Sequence, residues 1–158
     1  MRVGHGFDAH ALVAGRPCVL GGIVVAQDFG PDGHSDGDVV LHALADALLG
    51  ASAAGDLGSV FGTDRPELKN APGSTLVASV RELTENPRVL NVDVTVLGDR
   101  PRIGPFRGAM RENIASLLDV NADRVSVKAS SGNGLTEFGR GEGLAATVVV
   151  LVDVAEEE

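Results

Sequence analysis

All four histidines of the chain, His5, His10, His34 and His42, fall within its first 42 residues, and Asp8 and Asp38 stand among them. Imidazole nitrogen and carboxylate oxygen are common donors to zinc and similar divalent cations. Asp8-Ala9-His10 has the i, i+2 spacing that puts both side chains on one side of a strand. His42 stands in the helical run that follows, so a helix packed beside the first strand would bring a third ligand. Three N/O ligands with an open fourth position describe a catalytic zinc, whereas structural zinc is usually closed by four ligands rich in cysteine. The alternative for these residues is a surface pair beside a hydrogen-bonded histidine.

His34-Ser35-Asp36-Gly37-Asp38 leads into that helix. Ser35 or Asp36 is expected to cap it, or the free N–H groups there, with His34 and Ser35, bind a phosphate. Asp38, His42 and Asp46 share one polar stripe, which is either a solvated face or a place for Asp46 to support His42. Ser130-Ser131-Gly132-Asn133-Gly134 follows a strand and reads as a ligand loop or an ordinary turn. In Gly139-Arg140-Gly141-Glu142-Gly143 an ion pair competes with a phosphate or oligomer contact for the arginine.

The elements that must position these groups follow from periodicity. Strands are expected over 1–10, 18–26, 89–97, 124–129 and 142–152, and helices over 38–53, 74–85 and 104–118. The first helix presents Val40, Ala43, Leu44, Ala47, Leu48 and Ala51 on one face. Residues 27–37, 55–73 and 130–141 are expected as loops. Interleaved strands and helices imply a mixed α/β or α+β class, with helices packed on one sheet.

The 158 residues suit a single domain, 1–158, with about 153–158 as a frayed acidic tail. Aromatic residues are only 3% and tryptophan and tyrosine are absent, so Val, Leu, Ile and Ala must build the core. Thirteen basic against twenty-two acidic residues give a charge of -9, which argues against nucleic acid or an anionic membrane as partner. A phosphorylated ligand would need metal ions, placed arginines or helix N-termini to offset that charge. Cys18 is the only cysteine, and neither a signal peptide nor a membrane-length apolar run stands out. A cytoplasmic location is expected.

The order of these motifs resembles the 2-C-methyl-D-erythritol 2,4-cyclodiphosphate synthase family from Arg2 to about Val152. The matching text is Arg2-Val3-Gly4-His5-Gly6-Phe7-Asp8-Ala9-His10, then 33–39, 42–50, 54–58 with Phe61, 91–95, Lys128-Ala129 and 139–143. The resemblance implies a metal-dependent phosphorus–oxygen lyase that closes a CDP-alcohol phosphate into a cyclic diphosphate and releases CMP. It further implies one Zn2+ per site on Asp8, His10 and His42, with a second divalent cation, Mg2+ or Mn2+. By position, Asp8, His10, His34 and Ser35 match substrate contacts, and His34 and Ser131 match catalytic groups. Asp56, Leu57, Gly58, Phe61 and Asp64 match the erythritol pocket, and Gly98, Arg100, Pro101 and Arg102 the cytidine-phosphate loop. Ser130, Ser131, Asn133 and Arg140 complete the set. Family members are homotrimers with sites between subunits and their sheets toward the axis.

Three departures from the family pattern stand out. Ser130-Ser131-Gly132-Asn133 replaces a Thr-Thr-Thr-Glu/Asp run, so a neutral amide stands where a carboxylate can hold the second cation. Leu135-Thr136-Glu137-Phe138 displaces the usual phenylalanine by one position, and the segment after Phe61 is one residue short. A zinc-dependent phosphohydrolase and a non-catalytic trimer that binds isoprenoid diphosphates are the competing functions.

Overall fold

The computed structural model describes residues 1–33, 35–62 and 71–154. Its strands are β1 (Arg2–Ala14), β2 (Cys18–Leu20), β3 (Ile23–Ala26), β4 (Phe29–Pro31), β5 (Arg88–Leu97), β6 (Val125–Ser130) and β7 (Gly143–Asp153). Its α-helices are α1 (Val39–Ala51), α2 (Leu57–Phe61), α3 (Gly73–Leu83), α4 (Arg107–Leu118) and α5 (Thr136–Gly139). Five strands form one sheet in the order β4-β1-β7-β5-β6, and β2 and β3 form a separate hairpin. Only the β5–β6 pair is parallel, bridged by α4 as a crossover of the βαβ kind; the other neighbours are antiparallel. The expected mixed α+β class is the one observed.

Several elements differ from the sequence expectation for local reasons. Strand β1 continues past His10 to Ala14, because Leu12–Ala14 change partner from β7 to β4. The strand expected over 18–26 is two strands, split at Gly21-Gly22, whose positive φ values of 59° and 77° suit a tight hairpin turn. Strand β4 and the short α2 and α5 lie in segments expected as loops; each is too brief to leave a periodic signal.

The first strand and the first helix touch backbone to backbone. A Cβ on Gly4 would stand 1.8 Å from the Ala47 carbonyl oxygen, and one on Gly6 would stand 1.8 Å from that of Ala43. Four residues back along α1 thus match two residues forward along β1. The match is physical, because four helical residues rise about 6 Å and two strand residues about 6.6 Å. Extended by one more step, the ladder sets Asp8 beside the turn of α1 that carries His42.

Helix α1 is more buried than a one-sided amphipathic helix. Val39, Leu41, Ala45 and Leu49 are as fully buried as the expected face, because the sheet, α3 and β2 together surround it. Helix α4 covers the same sheet face through Met110, Ile114 and Leu118 against β6. The alternate residues Val3, His5 and Phe7 of β1 and Val149 of β7 point to the other face and are exposed, Val3 at 64% and Phe7 at 53%. Cys18 is buried, and burial pushes its thiol up to about 12, so it stays protonated at neutral pH. Among the described residues, no helix is long and apolar enough to cross a membrane.

Candidate metal centre and surrounding loops

The cap of α1 is neither Ser35 nor Asp36 but Asp38, which is fully buried. Its carboxylate accepts from Val40 and Leu41 N–H at 3.1 Å each, and from Gly21 and Gly22 N–H at 2.9 and 2.6 Å. One side chain therefore closes the helix start and pins the β2–β3 turn onto it. Burial pushes this carboxyl up to about 6, against the pull of the Gly22, Leu41 and Gly21 N–H groups. Asp36 is used otherwise. It accepts from Asp38 N–H at 3.1 Å and from Gly73 N–H at 2.8 Å, which ties the loop to the start of α3.

With α1 so placed, Asp8, His10 and His42 each offer a donor atom, all within 4.8 Å of one another. His10 Nε2 and His42 Nδ1 lie 3.2 and 3.1 Å from the same oxygen, Asp8 Oδ2. Burial alone would raise the Asp8 carboxyl, but hydrogen bonds from His10 and His42 hold it well below the usual carboxylate range. Burial would likewise lower His42, yet its bond to Asp8 keeps it above the ordinary imidazole value. The other nitrogen of His42, Nε2, is 3.2 Å from Ser35 Oγ and 3.7 Å from Asp36 Oδ1. An ionised carboxylate and two imidazoles converging from two elements are a donor set that suits a divalent cation.

Asp46 does not support His42 directly. Its carboxylate accepts from Leu57 N–H at 2.8 Å, one turn further along α1, and so docks the start of α2. Helix α2 is closed by a capping box in which Asp56 accepts from Ser59 N–H at 2.7 Å and Ser59 Oγ accepts from Asp56 N–H. Asp56, Leu57, Gly58 and Phe61 are thus presented as one unit. His34, Asp64 and residues 155–158 of the expected tail lie outside the described residues.

The other expected site residues stand on loops at the same end of the sheet. Arg100 donates through Nε to the Gly141 carbonyl at 2.9 Å, and its guanidinium lies 4.8 Å above the Phe29 ring. Those contacts fix the 98–102 loop against β4 and the glycine-rich turn, while Arg102 is exposed. Ser130 and Ser131 close local turns by accepting from Gly132 and Asn133 N–H at 3.3 Å each. Arg140 takes the ion pair, 3.0 Å from Glu142 and 3.4 Å from Glu137. Among the described residues, no hydrogen bond or ion pair joins Arg102, Ser130, Ser131, Asn133 or Arg140 to the Asp-His-His cluster. A cavity of about 330 Å³ beside His10 is lined by Glu137, Phe138 and Glu142.

Sequence reasoning missed Arg16, which stands in the turn after β1. It donates to the carbonyls of Gly33 at 3.1 Å and Ser35 at 2.9 Å. Its only sequence signal is its place in Gly15-Arg16-Pro17, which reads as a turn.

The chain matches the model of the YgbB family over residues 1–153. It is 48% identical over 154 residues to a 2-C-methyl-D-erythritol 2,4-cyclodiphosphate synthase of Moorella thermoacetica, covering 96% of this chain and 94% of that protein. A solved 2C-methyl-D-erythritol-2,4-cyclodiphosphate synthase superposes with a TM-score of 0.88 at 34% identity, covering 96% of this chain and all of the other. A CDP complex of IspF from Plasmodium falciparum superposes with a TM-score of 0.84 at 26% identity, covering 98% and 97% of the two chains. By sequence along nearly its whole length and by fold, the chain belongs to the YgbB family of 2-C-methyl-D-erythritol 2,4-cyclodiphosphate synthases.

Proposed function

We infer that this chain converts 4-diphosphocytidyl-2-C-methyl-D-erythritol 2-phosphate to 2-C-methyl-D-erythritol 2,4-cyclodiphosphate and CMP, in the non-mevalonate route to isoprenoid precursors. The observation that carries this reading is the convergence of Asp8, His10 and His42 in a chain of this family. In the reaction an oxygen of the 2-phosphate bonds to the β-phosphorus, and the bond from that phosphorus to the CMP oxygen breaks. No water enters. The nucleophile is already an anion, so positioning and charge neutralisation are what the protein must supply.

Asp8, His10 and His42 would hold the metal, with zinc the best fit to one carboxylate and two imidazoles. Bound there, it would draw charge from a phosphate oxygen, and a second cation, Mg2+ or Mn2+, would do so at the α- and β-phosphates. Asp8 remains ionised across the working pH range because both histidines donate to it. Ser35 Oγ orients the His42 ring from its far nitrogen. His34 and Ser35 contact the 2-phosphate, and His34 and Ser131 steady the transferring phosphoryl group. Asp56, Leu57, Gly58, Phe61 and Asp64 receive the erythritol, and Gly98, Arg100, Pro101 and Arg102 receive the cytidine phosphates. Arg100 does so through the shape of its loop, since its guanidinium is engaged by Gly141 and Phe29.

The chain works as a homotrimer with each site between subunits. The exposed Val3, Phe7 and Val149 on the sheet face away from the helices support this, since three such faces would cover one another around an axis. One domain, acting in the cytoplasm, completes the proposal.

Incubation of the protein with the CDP-alcohol phosphate, zinc and magnesium, followed by phosphorus NMR, tests the function. Stoichiometric CMP and a cyclic diphosphate are expected. An acyclic product would establish a hydrolase instead, and binding without turnover would leave a diphosphate-binding protein.

A further inference from the structure

Gly33 and Ser35 each lie against one imidazole of the Asp8-His10-His42 cluster. A Cβ on Gly33 would stand 3.1 Å from Cε1 of His10, so its main chain lies against that ring. Ser35 Oγ lies 3.2 Å from His42 Nε2. The carbonyls of these same two residues, on either side of position 34, both accept from one guanidinium. Arg16 donates through Nη1 to Gly33 at 3.1 Å and through Nη2 to Ser35 at 2.9 Å. Its Nη1 is also 3.9 Å from Asp32 Oδ1, and its side chain is only 27% exposed. On either side, the segment is held by Asp32 N–H to the Ala11 carbonyl at 2.7 Å and by Asp36 to Gly73.

We propose that Arg16 is a positioning residue that sets Gly33 against His10 and Ser35 against His42 by gripping the carbonyls of both. It acts through the main chain it holds and does not touch substrate. The grip needs a fork. A guanidinium offers parallel donors from one plane, whereas a lysine ammonium is a point charge at the end of a flexible stem and cannot hold both carbonyls in fixed geometry. The carbonyls also leave Arg16 with little freedom to turn outward and serve as a general phosphate contact.

The activity arm of the test rests on the function proposed above; a second arm does not. Arg16→Met and Arg16→Lys are compared with the native protein for turnover, zinc content and the ring nitrogen resonances of His10 and His42 without metal. Both variants are expected to bind zinc in equal stoichiometry. Arg16→Met is expected to lose roughly 10- to 100-fold in kcat/KM, the range seen when residues that orient a metal ligand are removed. Arg16→Lys should lose less, and millimolar guanidinium should restore part of the activity of Arg16→Met. The ring resonances of both histidines should move in Arg16→Met. If they stay in place and kcat/KM is within twofold of native, the proposal is overturned. Should the native protein itself not turn over, the function fails, yet the ring resonances still decide the role of Arg16. If Arg16→Met does not fold, Arg16→Lys is judged by the same resonances.

Discussion

The β1–α1 seam and the 130–142 loop both carry family-matching site residues, yet they are built on opposite principles. In the seam, glycines let backbone meet backbone, and the groups that matter are held by several partners each. His42 is buried, Asp8 is bonded by both histidines, and Asp38 alone satisfies four N–H groups. In the loop, Ser130, Ser131 and Asn133 are exposed, and among the described residues their side chains bond only to neighbours two residues away. The chain keeps the family text in the seam and departs from it over 130–138 of the loop. Gly4 and Gly6 of the seam leave no room for a Cβ, whereas the exposed Ser130, Ser131 and Asn133 can change and leave the fold untouched.

The largest effects are expected from changes in the seam. His42→Ala is expected to abolish zinc binding and lower turnover by on the order of a thousandfold, the equivalent of several kcal/mol of lost charge stabilisation. Metal analysis and a CMP-release assay check both, and full turnover in a zinc-free variant would refute the metal's role. Gly6→Val must push α1 away from β1, since its Cβ would meet the Ala43 carbonyl. A loss of about 3 kcal/mol or more is expected in urea unfolding. Asp38→Ala leaves four N–H groups without their carboxylate and should cost about 2–3 kcal/mol, with Asp38→Asn milder. Asn133→Asp, in the loop, should change stability by less than about 0.5 kcal/mol. The same variant should reach half-maximal activity at lower magnesium, since a carboxylate is the stronger ligand for a hard cation. Equal magnesium titrations for the two proteins would contradict that role for position 133.

The seam was also the part most legible in the sequence, for a physical reason. Strand and helix periods place Asp8 with His10 and put His42 on the following helix, and those periods survive in the fold. What periodicity does not carry is a bond between distant segments. The grip of Asp38 on Gly21 and Gly22, of Asp46 on Leu57 and of Arg16 on Gly33 and Ser35 each joins residues that no local pattern pairs. Hence local pattern offers Ser35 or Asp36 as the helix cap, and for Asp46 either a solvated face or support of His42. Strand ends were misjudged where partners change, at Leu12 in β1 and at the Gly21-Gly22 turn. The family resemblance supplied the roles of Gly98, Arg100, Pro101 and Arg102, and at 130–133 it chose between the ligand loop and the ordinary turn that local pattern leaves open.

The central claim is that the packed seam holds a divalent metal on Asp8, His10 and His42. Diffraction from zinc-grown crystals at wavelengths on either side of the zinc edge tests it directly. One anomalous peak per chain is predicted, about 2.0–2.2 Å from an Asp8 oxygen and from a ring nitrogen of each of His10 and His42. A peak held by other residues, or none at full zinc occupancy in solution, would contradict it.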